Sequence, residues 1–264
     1  MAGRGTREGE QFERQLVAEL NSNKGHRIWG DLGMSLGNGD LYAVHVTKKV
    51  FGKINGAMVK PKADAYIAQG ALKRSDLKDT GFYINEDMAE VMGLEKKAYT
   101  GVSIKMADSS NYQILKMSPN TFAKIFGSRA LGAAASLYDS SQDALQQNQQ
   151  VAKGWGASQD EMDSMILRLT GEKEGYRMAS SKGGQVLAAK RAKKSAVEEI
   201  EKMINSSSWI SDFVFRGVGN FDEPYTATWF YEKCVMRKAG PVPYSVTTGS
   251  GRHHGVFTLV IKPR

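Results

Sequence analysis

Apolar residues recur at helical spacing over residues 6–21. At about 100° per residue, Phe12, Leu16, Val17 and Leu20 share one arc. Thr6 offers an N-cap, Glu8 and Glu10 suit the first turns, and the stretch from Asn21 to Gly25 ends the helix. Residues 28–60 are glycine-rich and alternate, as in Leu41 to Val46, which predicts strands and hairpin loops. Lys62 to Ala68 reads as a strand. Residues 71–97 are polar, with a helix opening at Asn85 and running to Met92. Tyr99 to Met106 is the best central-strand candidate. Residues 119–152 read as helical, with Gln146 to Gln150 marking a solvated end, and 159–169 and 184–204 as further helices. Residues 209–262 return to strands at Phe213 to Phe215, Thr226 to Met236 and Val256 to Ile261. Helix, strands, helices and strands in that order predict an α+β or mixed α/β fold.

The chain has 264 residues, 41% hydrophobic and 24% charged, which fits a globular protein with a sizeable core. Its single cysteine, Cys234, reads as a small buried apolar residue. One cysteine excludes an internal disulfide framework and an all-cysteine zinc site, and it fits a reducing cytoplasm. No apolar run approaches the roughly 20 residues of a membrane span, and the first residues, MAGRGTREGEQFERQL, carry no apolar signal core. The expected location is cytoplasmic, with no membrane partner. The net charge is +8 and spread along the chain without a basic tail. A polyanion would therefore meet a surface assembled by folding.

Three places carry candidate chemistry. Glu13 falls inside the apolar arc of the first helix, where a bare carboxylate is costly to bury. It needs a salt-bridge partner, a metal or the edge of a cleft. Asp64, in Lys62-Ala-Asp-Ala-Tyr-Ile67, shares a strand face with Tyr66, opposite Ala63, Ala65 and Ile67. A solvent-facing aspartate at a strand end is the plain alternative. In Gly101-Val-Ser-Ile-Lys-Met106, Val102, Ile104 and Met106 form one face, and Ser103 and Lys105 project from the other. That second face is either solvated or functional.

In this order the three resemble the PD-(D/E)xK nuclease superfamily, to which most type II restriction endonucleases belong. The matching residues are Glu13 on an early helix, Asp64, and Ser103-Ile104-Lys105 in place of acidic-x-Lys. Gly9 to Leu16 looks like the family's first helix, and Asn111 to Ser118 like the segment after its lysine strand. The resemblance covers about residues 5–130. It departs from the family at Pro61, which is not adjacent to Asp64, and in a long interval from Asp64 to Lys105. It departs again at Ser103, where an acid is usual. Asp76-Leu77-Lys78 and Glu95-Lys96-Lys97 match acidic-x-Lys literally but lack strand flanks.

The resemblance implies a restriction-endonuclease-like mixed central sheet flanked by helices, with extra C-terminal strands. It implies a nuclease core in residues 1–135 with an insertion at about 70–98, and a helical and β elaboration in 136–264 for DNA recognition or dimerisation, packed as one domain with the core. Mg²⁺ would be held by Asp64, the Ile104 carbonyl and Glu13, the last directly or through water. Lys105 would orient the attacking water, and Ser103 would bond a water on the metal. The implied activity is sequence-specific cleavage of double-stranded DNA by a homodimer. A junction resolvase or repair nuclease of the same fold, and a DNA-binding protein without cleavage, are the alternatives.

Candidate DNA contacts are Arg252, His253 and His254 in a polar loop, Lys190, Arg191 and Lys194 on a helix, and Arg237 and Lys238. His26 and His45 are far apart and no cysteine spacing supports zinc. Gly154-Trp155-Gly156 reads as a turn with an anchoring tryptophan, and Trp229, Phe230 and Tyr231 as alternating between core and surface.

Overall fold

The computed structural model describes residues 4–34, 40–106, 112–140, 144–171 and 182–264. Helices α1 (Arg4–Ser22) and α2 (Arg27–Asp31) precede β1 (Leu41–His45), a ribbon of β2 (Val50–Phe51) and β3 (Met58–Val59), and β4 (Ala65–Gln69). Then come α3 (Arg74–Asp79), α4 (Glu86–Val91), β5 (Glu95–Lys96) and β6 (Val102–Ile104). β7 (Leu115–Met117) leads into α5 (Pro119–Phe126), α6 (Arg129–Ala135), α7 (Ala144–Trp155), α8 (Gln159–Thr170), α9 (Lys182–Ser206) and α10 (Ser208–Arg216). The chain finishes with β8 (Trp229–Glu232), β9 (Val235–Lys238), β10 (Tyr244–Thr248), a 3-10 turn at Ser250–His254 and β11 (Leu259–Pro263). The class is mixed α/β, as the element order predicts. Among the described residues no helix is long and apolar enough to cross a membrane.

The chain divides into two compact units, each made of two segments: Met1–Ser110 with Phe215–Pro241, and Asn111–Val214 with Val242–Arg264. Residues 215–241 belong to the first unit because β8 pairs in parallel with β6.

In the first unit the sheet order is β1-β4-β6-β8-β9, with β5 paired to β4. β1, β4 and β6 run antiparallel in turn, β8 is parallel to β6, and β9 folds back on β8. One face carries Ala43, Ala65, Ile67, Val102, Ile104 and Tyr231 against Leu16, Val17, Leu20, Ile28 and Trp29 of the first two helices. The other face, with Tyr42, Val44, Tyr66 and Ala68, is covered by Leu77, Ile84, Ala89 and Leu94. The 70–98 segment thus supplies the layer over the second face of the sheet. Its helix α4 opens as predicted, with Asn85 accepting from the Met88 N–H. Asn21, at the end of α1, bonds both backbone groups of Ala43 at 2.9 and 2.8 Å. Those bonds satisfy edge-strand groups of β1 and fix the helix over the sheet.

In the second unit β10, β11 and β7 form an antiparallel sheet. Around buried, alanine-rich α6 pack α5, α7, α8 and α9. The glutamine run does not end a helix: α7 continues to Trp155, which is fully buried, and Gly156 follows at φ 68°.

Three more expectations change. Residues 27–31 are helical, with His26 capping α2 by accepting from the Ile28 N–H. Phe213 to Phe215 is helical, because Ile210, Phe213 and Val214 bury at helical spacing despite their strand-forming composition. Cys234 is exposed, since it and Lys233 form the β8–β9 turn with φ of 59° and 50°. Of the aromatic run, Trp229 is half-buried and Phe230 and Tyr231 are buried.

Gly101 allows the segment before β8 to approach β6. A Cβ there would lie 1.9 Å from the Thr226 carbonyl oxygen and 2.4 Å from that of Pro224. Gly101→Ala is expected to cost about 1–3 kcal/mol, which lowers the thermal midpoint by several degrees. Gly30→Ala, where a Cβ meets nothing within 4 Å, should stay within about 0.5 kcal/mol of the parent.

Candidate active site

Strand ends from distant parts of the sequence meet at one edge of the larger sheet. Because β1, β4 and β6 alternate in direction, the end of β1, the start of β4 and the end of β6 lie together. His45 ends β1, Asp64 immediately precedes β4, Ser103 sits in β6, and Lys105 follows it. Glu13 reaches the same edge from α1, which packs on β1.

Asp64 is 8% exposed. Its Oδ2 accepts from the Ile104 N–H at 2.8 Å, the Ser103 hydroxyl at 3.2 Å and Lys105 Nζ at 3.4 Å. Its Oδ1 lies 3.9 Å from Lys60 Nζ. Glu13 is buried, and its Oε2 lies 3.1 Å from His45 Nε2 and 3.6 Å from the same Lys60 Nζ. His45 Nδ1 is 2.9 Å from the Tyr83 hydroxyl. One assignment satisfies both bonds with a neutral ring: Tyr83 donates to Nδ1, and Nε2–H donates to Glu13. Burial raises the Tyr83 pKa, which keeps that proton in place, while the Arg14 guanidinium sits 4.4 Å from its ring and opposes the shift.

Lys62 belongs to the same group. Burial, and then the charge of Lys105, push its pKa down to about 7, with Asp64 opposing. Its stem crosses Gly217, where φ is 74° and a Cβ would come within 2.5 Å of Lys62 Cγ. The edge therefore gathers Lys60, Lys62 and Lys105 about two carboxylates and one imidazole.

Sequence reasoning found Glu13, Asp64, Ser103 and Lys105, and it missed Lys60, Lys62, His45 and Tyr83. A usable signal existed. Residues 46–63 contain Lys48, Lys49, Lys53, Lys60 and Lys62 and no acid, and the run leads straight into Asp64.

A magnesium ion takes oxygen ligands and commonly uses only one or two carboxylates beside water and phosphate oxygens. Asp64 Oδ1 and Glu13 Oε2 both face Lys60 Nζ, so two carboxylates flank a point that already attracts a cation. The Ile104 carbonyl leaves β6 on the same edge as its N–H, the edge facing Asp64. These donors fit Mg²⁺. Among the described residues no three His, Cys, Asp or Glu side chains are grouped to hold a metal by themselves.

The other candidates lie elsewhere. Asp76 is exposed on α3 and accepts from Ser75. Glu95 is exposed and pairs with Gln69, at the opposite end of β4 from Asp64. His26 faces Glu19 at 3.4 Å. In the second unit Lys190, Arg191 and Lys194 are exposed on α9, with Lys194 3.8 Å from Glu198. Arg252 is half-buried: it donates to the Ser136 and Leu137 carbonyls at 2.8 and 3.4 Å and lies 3.7 Å from the Tyr138 ring centroid. Those contacts pin the 3-10 turn to the residues that follow α6. His254 is exposed, and the His253 side chain is outside the described residues. Arg237 faces Glu232 at 3.3 Å, and Lys238 Nζ lies 3.9 Å from the Trp229 ring centroid.

No family model, curated protein or solved structure matches the chain. The resemblance to PD-(D/E)xK nucleases rests on the residues alone.

The depressed pKa of Lys62 links stability to pH. Between about 7 and the ordinary lysine value of 10.5 the unfolded chain keeps a proton that the folded chain releases, so stability rises with pH. Lys62→Met should flatten the midpoint-against-pH curve across that window and raise the midpoint at pH 7. A parent curve without the rise would contradict the shift.

Proposed function

We propose that the chain is a Mg²⁺-dependent endonuclease that hydrolyses phosphodiester bonds of double-stranded DNA, of the type II restriction kind. The observation that carries this reading is the convergence of Glu13, Asp64, Ser103 and Lys105 at one sheet end from three separate stretches of chain. A fold selected only for packing has no need to bring a helix glutamate, a strand-start aspartate and a strand-end lysine to the same rim. The mixed sheet between helical layers agrees with the fold that the resemblance implies.

Each residue has a task in that chemistry. The ion supplies Lewis-acid polarisation of the phosphate and a more acidic attacking water. Asp64 Oδ1, the Ile104 carbonyl and Glu13, the last directly or through water, would hold it. Ser103 and the Ile104 N–H fix Asp64 through Oδ2, so the carboxylate does not rotate when its ligand changes. Lys105, held at Asp64, presents an ammonium to the phosphate and to the attacking water. Lys60 and Lys62 add positive charge where the transferred phosphate becomes more negative. His45 and Tyr83 orient Glu13. Cutting both strands of a palindrome calls for two such sites, which a symmetric pair of chains supplies.

Ser103 favours a second reading. A hydroxyl in place of a carboxylate lowers the ligand charge available to a hard cation. DNA binding without cleavage is therefore the alternative, with the lysines retained as a phosphate-binding surface.

Plasmid DNA incubated with Mg²⁺ is expected to yield discrete fragments, and none with chelator. Asp64→Asn and Lys105→Ala should each lose at least about 100-fold in cleavage rate while keeping DNA affinity. Full cleavage by Lys105→Ala would remove the site assignment. Cleavage confined to branched or damaged DNA would assign a resolvase or repair role, and salt-sensitive binding without cleavage would assign the binding protein.

A further inference from the structure

The ribbon of β2 and β3 enters the candidate site directly and has no role in it so far. Its register pairs Val50 with Val59 and Phe51 with Met58. Val50 and Val59 are half-buried, whereas Phe51 is 63% and Met58 57% exposed. Side chains alternate along a strand, so Lys49 and Phe51 share the outer face with Met58 and Lys60. Continuing the register by one step sets Lys49 opposite Lys60, a like-charge pair that is unfavourable unless an anion covers it.

Anchoring makes the ribbon a fixed arm. The Lys53 N–H donates to the Asn220 carbonyl at 2.9 Å, and the Ile54 N–H to Asn220 Oδ1 at 3.2 Å. Asn55 accepts from the Ala57 N–H across the turn at 2.9 Å. Phe51 and Met58 leave more than half of their surface to solvent on this anchored ribbon. No acid interrupts residues 46–63. Lys48 and Lys53 do meet exposed acids elsewhere, Lys48 at Asp87 and Glu90 and Lys53 at Asp222. Exposed pairs of that kind are worth at most about 1 kcal/mol, so a phosphate displaces them readily.

We infer that the outer face of the β2–β3 ribbon is a duplex-DNA contact surface continuous with the catalytic edge, with Lys49 on phosphate and Phe51 and Met58 against the bases. This rests on the nuclease reading for its partner. Lys60 joins the two surfaces, because its ammonium touches Glu13 and Asp64 and its strand carries Met58 two residues away, about 7 Å along the ribbon. DNA that presents a phosphate to the carboxylate pair must lie across this face. A two-stranded ribbon fits the major groove, where apolar side chains contact thymine methyl groups.

The test measures anisotropy of a labelled duplex in chelator, so that binding is read without cleavage. Lys49→Ala should weaken binding and lower the slope of log affinity against log salt by about one. A Phe51→Ser, Met58→Ser double variant should weaken binding about tenfold or more at an unchanged slope. Both sites are exposed, and unchanged thermal midpoints verify the fold. If the parent binds and cuts DNA and these variants do so equally well, the inference fails and the nuclease reading stands. If the parent neither binds nor cuts duplex DNA, both fall. A ribbon-dependent affinity for anionic phospholipid vesicles, with none for the duplex, also overturns the inference.

Discussion

The Oδ2 oxygen of Asp64 accepts from a backbone N–H, a hydroxyl and an ammonium, all from residues 103–105. A carboxylate at 8% exposure cannot stand without such partners. The ladder between β4 and β6 is a single registered pair, Ala65 with Val102, and beyond it the Asp64 side chain takes the Ile104 N–H. The aspartate thus substitutes for strand pairing at the sheet rim. The same bonds fix its other oxygen toward Lys60 and Glu13. What the site can hold follows from that one orientation.

Charge at the rim is opposed rather than uniform. Two carboxylates face three lysines, and one of these, Lys60, is shared between both acids. Removing a carboxylate leaves lysines facing one another, and removing Lys60 leaves two acids facing one another. In the proposed reading a divalent cation would replace Lys60 between the acids, and a phosphate would receive the freed ammonium. The overall +8 is spread along the chain, whereas at this rim opposite charges are set against one another within a few ångströms.

Much of the rim was legible in the sequence, and the reasons are local. Glu13 stood out because it broke the apolar arc of its own helix. Ser103 and Lys105 stood out because they alternate with Val102 and Ile104. Lys60, Lys62, His45 and Tyr83 carried no such local contradiction. A lysine beside a glycine-rich hairpin reads as solvated, and only the return of β4 against β1 brings it to a buried acid. Larger features were misread for a related reason. Phe213 to Phe215 has strand composition, yet helical burial decides its state. Residues 71–97 look polar, yet Leu77, Ile84, Ala89 and Leu94 are spaced to close the second face of the sheet. The parallel pairing of β8 with β6 joins residues more than a hundred positions apart, and local pattern does not encode such a pairing.

The proposed function requires a divalent cation between Glu13 and Asp64, at the point where the Lys60 ammonium lies. Crystals soaked in Mn²⁺ and measured at its absorption edge test this directly. An anomalous peak is expected within coordination reach of Asp64 Oδ1 and on the Glu13 side of it, with Lys60 Nζ withdrawn from both carboxylates. No peak at that point, with Lys60 still bridging the two acids, would contradict it.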